Sequence, residues 1–392
     1  NTLRAAEEAI WGGPVREENG NARGGQSPVQ VVIEIVSRGS GISRCLDSRG
    51  QEIHIGDPGS LLSYGAFPLR ETRRQRDNQQ TGKSQELLIG VRFRMTISYT
   101  KNIEHEVQSA LWAWETFGGI GARTRRGFGA IKLEICIRHG IPQKIRLPAS
   151  SEPADLKDWF QEFFSLYVCG GTWHPHIPHL NISTEPVTKA LPDGFQVGKQ
   201  NFVDFLYSML QTNKLSKTQA EPFIAPLVAW YYPIYKLQVF RQSRRYSQRH
   251  RNPYGRSYWP EPDEIRHRTV GFRGDHSNRL TFAPKFPRAV FGLPIVFKFK
   301  DEKIDPPQTT LQGSQHDRMS SRLILRPIAC ADGSYVAAAT VLAGPELPPG
   351  GLILQGATNS GNIDTSPLTR KEANFPPLNG QTDVLQAFLD TL

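Results

Sequence analysis

The sequence predicts a mixed α and β protein, and three observations carry that prediction. Val91, Phe93, Met95, Ile97 and Tyr99 alternate with Arg92, Arg94, Thr96 and Ser98, the period-two pattern of a strand with one buried face. Val107, Ala110, Leu111, Trp114 and Phe117 then follow helical spacing and make one apolar stripe. Ile131, Leu133, Ile135 and Ile137 alternate again. The order is strand, helix, glycine-rich loop, strand. At 392 residues the chain has room for two domains or three, and it can bury its cores without disulfide or metal staples.

The remaining elements follow in chain order. A short helix is expected in "TLRAAEEAIW" and a strand in "VQVVIEIV" (29–36). Asn102 is the expected N-cap of the helix that carries the stripe, with Glu104 and Glu106 in its first turn, where negative charge suits the helix dipole. Trp114, on the stripe, is the expected core anchor under the glycine loop, while Trp112 is off it. From about 150 to 240 the sequence reads as helical, with Leu156, Trp159, Phe160, Phe163 and Phe164 on one face. Strand-like runs follow at 289–300 and 322–343, the second with a turn at Asp332 and Gly333. The stretch from about 356 to 382, rich in Gly, Asn, Ser, Thr and Pro, reads as a linker before a final short helix in "DVLQAFLDTL".

Charge narrows the function. Lys and Arg number 47 against 37 Asp and Glu, a formal charge of +10, which favours an anionic partner, most simply nucleic acid. Cys45, Cys136, Cys169 and Cys330 form no C-x-x-C pair. They fit a reduced, cytosolic setting and exclude a zinc ribbon. With no run of 18 apolar residues and no signal-peptide pattern, the chain reads as soluble and intracellular.

The loop after the helix holds Gly118, Gly119, Gly121, Gly127 and Gly129 around Arg123, Arg125 and Arg126. The Walker A pattern fails, because no Lys-Ser or Lys-Thr follows these glycines. The dinucleotide fingerprint opens a helix after a strand, and here the order is reversed. A tight helix-to-strand connection accounts for one or two glycines, such as Gly118 or Gly119 at a C-cap. A loop lying against a phosphate backbone accounts for all five and for the three arginines.

"GGIGARTRRGFG" resembles the signature glycine-rich loop of the RAMP superfamily of CRISPR proteins, and more closely that of the first RAMP subunit of type III-B (Cmr) effector complexes. The stretches "GRSYWPEPDEIR", "FPRAVFGLPIVFKF", "RMSSRLILRPI" and "LPPGGLIL" resemble further parts of that subunit, in the same order, so that the likeness spans most of residues 1–356. The resemblance implies two ferredoxin-like units, akin to RNA-recognition-motif domains, with a helical insertion. Residues 1–150 would form the first unit and 151–356 the second, with 357–392 a linker and short helix. The first βα part of the leading unit is missing from the pattern. A sheet short of that strand would expose an edge and apolar area; the expectation is that the piece lies outside this sequence or is supplied by a fused neighbour. The resemblance also implies a cytoplasmic prokaryotic protein of antiviral defence, which binds guide RNA and target RNA near the guide 3′ end and packs against other RAMP subunits. It implies no nuclease centre of its own; from the sequence itself no cofactor, metal or membrane is expected.

A second basic stretch, 241–260, carries Arg241, Arg244, Arg245, Arg249, Arg251 and Arg256 without an acid, interleaved with Tyr246, Tyr254, Tyr258 and Trp259. Arginine neutralises phosphate and aromatic rings stack on unpaired bases. The expected RNA contacts are therefore the eight loop residues together with Arg241, Arg244, Arg245, Arg249, Arg256 and Trp259. A basic loop touching nothing specific is the competing reading. Order is expected to return near Trp259, where the stretch rejoins the folded body. The run 70–76, "RETRRQR", reads as a solvated loop, and His174, His176 and His179 in "WHPHIPH" as a structural loop rather than a zinc site. A metal-independent RNA-processing endoribonuclease is the alternative function. No histidine adjoins the glycine loop in sequence, and His105 is expected opposite the apolar stripe.

Overall fold

Steric preferences of the alternating and helical runs build most of the expected elements. The computed structural model describes residues 2–18, 21–70, 85–170, 177–245, 256–269, 285–299, 305–357 and 363–392. Helix α1 (Thr2–Trp11) leads into the hairpin of β1 (Gly13–Glu18) and β2 (Asn21–Gly25). Then β3 (Gln30–Ser37) pairs antiparallel with β8 (Arg92–Ser98), from Gln30 opposite Ser98 to Ser37 opposite Arg92. Between them lie β4 (Ser40–Ile42), β5 (Arg44–Leu46), β6 (Glu52–His54), α2 (Ser63–Ala66) and β7 (Leu87–Ile89). Helix α3 (Glu104–Phe117) begins after a 3-10 turn at Lys101–Ile103. Ile103, not Asn102, therefore takes the N-cap position, with no side-chain cap. Glu104 and Glu106 do occupy the first turn. Of the expected strand after the glycine loop only Cys136–Arg138 (β9) enters a ladder, with Ile141–Gln143 (β10).

The second half is helix-rich first and strand-rich afterwards. It holds α4 (Pro153–Tyr167), β11 (Val187–Ala190), β12 (Gln196–Val197), β13 (Gln200–Asn201), α5 (Phe202–Thr212) and α6 (Lys217–Arg241). Asn201 caps α5 and Ser216 with Gln219 forms a capping box on α6, so both starts are encoded locally. After α7 (Glu261–Arg268) come β14 (Ile295–Phe297), β15 (Thr309–Gly313), β16 (Leu323–Ala329), β17 (Tyr335–Val341), β18 (Leu352–Gln355) and α8 (Val384–Leu389). The 289–300 run starts as a 3-10 turn, Pro287–Phe291, before its short strand. The expected hairpin is present as β16 and β17, with Gly333 at φ 88° in its turn. Among the described residues the strands form two three-stranded sheets, β11-β17-β16 and β14-β15-β18, with two-stranded pairs elsewhere. That is a mixed α and β protein.

The hairpin β16–β17 sits between two helical layers. Leu323, Leu325, Ala337 and Ala339 belong to the main core with α5 and α6. Ile324, Ile328, Val336 and Ala338 belong to a second core against α3 and α4. The main core draws on residues from both sides of position 150, among them Ile42, Ile55 and Leu62. It also takes in Ala373, Phe375 and Leu378, so the stretch read as a linker is packed rather than free. Its Phe and Leu side chains outweigh the polar composition that suggested a linker.

Trp112, not Trp114, anchors α3. It is buried against Phe163, Phe164 and Phe117, stacking on Phe163 at 6.0 Å. Trp114 is half-buried and lies under the glycine loop, donating its indole N–H to the Gly119 carbonyl at 3.2 Å. Helix α4 packs on the Trp112 side of α3, so that the buried residues of α3 are Val107, Trp112, Thr116 and Phe117. The leading ribbon differs: every apolar residue of β3 from Val31 to Val36 is exposed.

Candidate nucleic-acid interface

The glycine loop is a closed structure held by its own backbone. Gly118 ends α3, its N–H bonded to the Trp114 carbonyl at 3.0 Å, and the Ile120 N–H bonds to the Gly129 carbonyl at 2.9 Å. Thr124–Arg126 makes one 3-10 turn between Arg123 (φ 62°) and Gly127 (φ 73°), both left-handed. A Cβ on Gly127 would stand 2.8 Å from Cδ1 of Trp230 and 3.0 Å from the Leu325 carbonyl. On Gly129 (φ 62°) it would fall onto the Ile120 carbonyl. Both glycines are therefore required by φ and by close approach. What approaches Gly127 is this protein's own β16 and α6, and what approaches Gly129 is Ile120 of the same loop.

The arginines explain that approach. Arg126 donates to the carbonyls of Leu323 (3.0 Å) and Phe291 (3.2 Å), and Arg125 to the Ser321 carbonyl. From the other side Arg326 of β16 reaches back to the carbonyls of Ile131 (2.9 Å) and Gly118. The Trp230 indole N–H donates to the Arg126 carbonyl at 3.0 Å. Loop and hairpin are thus tied by reciprocal arginine-to-carbonyl bonds. Burial pushes the guanidinium pKa of both Arg126 and Arg326 down to about 10, which leaves each charged at neutral pH. Burial likewise raises the Glu115 carboxyl, which accepts the Leu133 N–H at 3.0 Å. Arg123, Arg125 and Arg126, all expected on RNA phosphates, do not share one setting: donors of Arg125 and Arg126 serve backbone carbonyls of the protein itself.

Arg123 is placed differently. Its guanidinium lies 4.7 Å from the centre of the Phe67 ring and 6.0 Å from that of Phe128. Arg241, at the end of α6, donates to the Tyr64 hydroxyl at 3.1 Å. Among the described residues no carboxylate pairs with Arg123, Arg125, Arg126 or Arg241. Burial, then the charge of Arg241, holds the Arg123 pKa below its ordinary value. Four guanidiniums share one region without a compensating acid, next to a glycine loop.

Residues 1–132 match the family model of the RAMP superfamily. The match supports RAMP membership. It takes in the β3–β8 ribbon, α3 and the whole glycine loop. No curated protein and no solved structure matches the chain. Among the described residues no helix is long and apolar enough to cross a membrane, and no group of three or more His, Cys, Asp or Glu could hold a metal ion.

Beyond the RAMP match, the second basic stretch is anchored by acids of α7. Asp263 pairs with Arg245 (3.0 Å), Arg266 (3.3 Å) and Arg256 (3.9 Å), and Glu261 with Arg288 (3.2 Å). Backbone bonds Arg245 to Arg256 (2.8 Å) and Tyr258 to Ser243 (3.1 Å), with a bridge between Arg244 and Ser257, form a stem. Arg245 and Arg256, expected on RNA, are thus engaged by Asp263. Trp259, expected in the same set, is fully buried against Phe240 and Phe375, its N–H on the Phe240 carbonyl at 3.1 Å. It anchors the stretch and offers no face to a base, which corrects its place among the expected RNA contacts. Arg249, Arg251, Tyr246 and Tyr254 lie outside the described residues, as do His174, His176 and residues 71–76. His179 is tied to the Ile177 carbonyl at 2.9 Å, and His105 to the Leu166 carbonyl at 3.0 Å.

Several residues of the region escape sequence reasoning. Arg326 carries one signal, a charge inside the apolar run "RLILRPI". Tyr64 and Phe67 carry none: they come from a segment with no basic pattern, and the fold alone brings them to Arg241 and Arg123.

Proposed function

We propose that this protein is an RNA-binding subunit of a CRISPR ribonucleoprotein of the type III-B (Cmr) kind. It contacts guide or target RNA near the guide 3′ end, packs beside other RAMP subunits, and has no nuclease centre of its own. One observation carries the reading. The RAMP match runs through a loop whose neighbourhood holds four guanidiniums and no carboxylate partner among the described residues. An RNA phosphate supplies the missing negative charge, and arginine forms charge-assisted bonds to it. Arg123 and Arg241 are the contacts of choice, because Arg125 and Arg126 already spend donors on backbone carbonyls of the protein.

The test is a salt titration of the purified chain with single-stranded RNA. Exchanging Arg123 and Arg241 for Ala should weaken binding for unrelated sequences alike, and each lost phosphate contact should lower the salt slope by about 0.7. An unchanged affinity and slope would overturn the reading. Cleavage of repeat RNA by the wild-type chain in EDTA would overturn the absence of a nuclease centre.

A further inference from the structure

Phe67 is an aromatic ring that the fold leaves in solvent. Of the described phenylalanines and tryptophans, Phe67 and Trp11 are exposed, at 59% and 42%. Phe67 opens the 3-10 turn Phe67–Leu69 directly after α2, and Pro68 restricts the backbone beside it. Arg123 stands over the ring at 4.7 Å, held by a left-handed backbone (φ 62°) that a non-glycine residue seldom adopts. Phe128, the other ring near Arg123, is turned inward and packs edge-on against Trp230 at 5.0 Å. The rigid loop thus presents a guanidinium and an exposed ring together, at the edge of the carboxylate-free arginine group.

From this juxtaposition we infer that Phe67 is a stacking platform for one unpaired base of single-stranded RNA, with Arg123 taking the adjoining phosphate. The inference rests on the RNA-binding reading and adds to it the form of RNA and the residue that selects it. Charge complementarity names the occupant: the four guanidiniums attract a polyanion, and an apolar ring among them suits a partner that carries both phosphate and a π-face. A duplex keeps its bases stacked inside and has no face to offer.

The experiment measures affinity of the full chain for three probes. These are an oligo(A) of about 12 nucleotides, the same backbone with abasic ribose throughout, and a duplex of that length. Phe67→Ala should weaken oligo(A) binding by about 5- to 150-fold, the loss expected for one base stacked on one ring. Phe67→Leu should lose as much, since it keeps apolar bulk without the π-face, and Phe67→Tyr should keep wild-type affinity. Binding of the abasic probe and of the duplex should not change with Phe67. Melting temperatures should match wild type, because the ring is exposed. Equal oligo(A) affinity for Phe67→Ala and wild type, or an equal loss on the abasic probe, overturns the inference while the phosphate reading stands through Arg123→Ala. If wild type binds neither oligo(A) nor the abasic probe, the RNA reading itself fails and this inference with it.

Discussion

The ribbon β3–β8 and the hairpin β16–β17 are written in similar residues and meet opposite fates. In β3, Val31, Val32, Ile33, Ile35 and Val36 are all more than half exposed. In β16, Leu323, Ile324, Leu325 and Ile328 are all buried. Both strands are apolar on both faces, and both have an antiparallel partner. The hairpin has a helical layer on each side, α6 on one and α3 with α4 on the other. Among the described residues β3 has none. An apolar strand pattern therefore specifies a strand, and what lies above and below it specifies burial.

Four measurements sharpen or break that comparison. The largest effect belongs to Trp112, which fills the layer outside the hairpin. Trp112→Ala should cost about 3–5 kcal/mol in chemical denaturation, and Trp114→Ala clearly less. The reverse order would return the anchor to the position that the periodicity suggested.

Matched truncations in the two strands come next. Leu325→Ala should cost about 2–5 kcal/mol, whereas Ile33→Ala should stay within about 0.5 kcal/mol because the side chain is already in water. Equal costs would mean that the ribbon is covered in the folded protein and would end the contrast.

Arginine gives a third pair. Arg326→Ala removes the donor shared by the Gly118 and Ile131 carbonyls and should cost about 1–3 kcal/mol. Arg94→Ala breaks an exposed pair with Glu34, 2.9 Å apart on the ribbon, and should cost about 0–1 kcal/mol. Added salt should reduce the second value and leave the first nearly unchanged.

The smallest effect is one of pH. Burial raises the Glu115 carboxyl pKa beside the loop, so the folded chain holds that proton more tightly than the unfolded chain. Stability from this group is then present below the ordinary carboxylate pKa and is lost as pH rises through the raised one. Glu115→Gln should flatten the stability curve over that interval. An unaltered curve would show that the carboxyl is solvated.

Much of the molecule was legible in the sequence. The strand at 92–98, the helix at 104–117, the turn at Gly333 and the final helix follow from side-chain period and turn chemistry, which act between near neighbours. The return of order near Trp259 was legible for the same local reason, whereas its full burial, with no face left for a base, and the protein's own atoms packed against Gly127 and Gly129 were not. Tertiary structure alone decided where the long side chains went. Arg126 finds its acceptor 197 residues away at Leu323, and Arg326 finds Gly118 at a separation of 208. Nothing within a few residues of Arg125 or Arg126 distinguishes a guanidinium that will meet a phosphate from one that will meet a carbonyl. The same holds for Phe67 beneath Arg123, and for Phe375 and Leu378, which leave a polar-looking tail to join the core. Period and propensity are set by local sterics, whereas burial and hydrogen-bond partners depend on which distant surfaces the folded chain brings together.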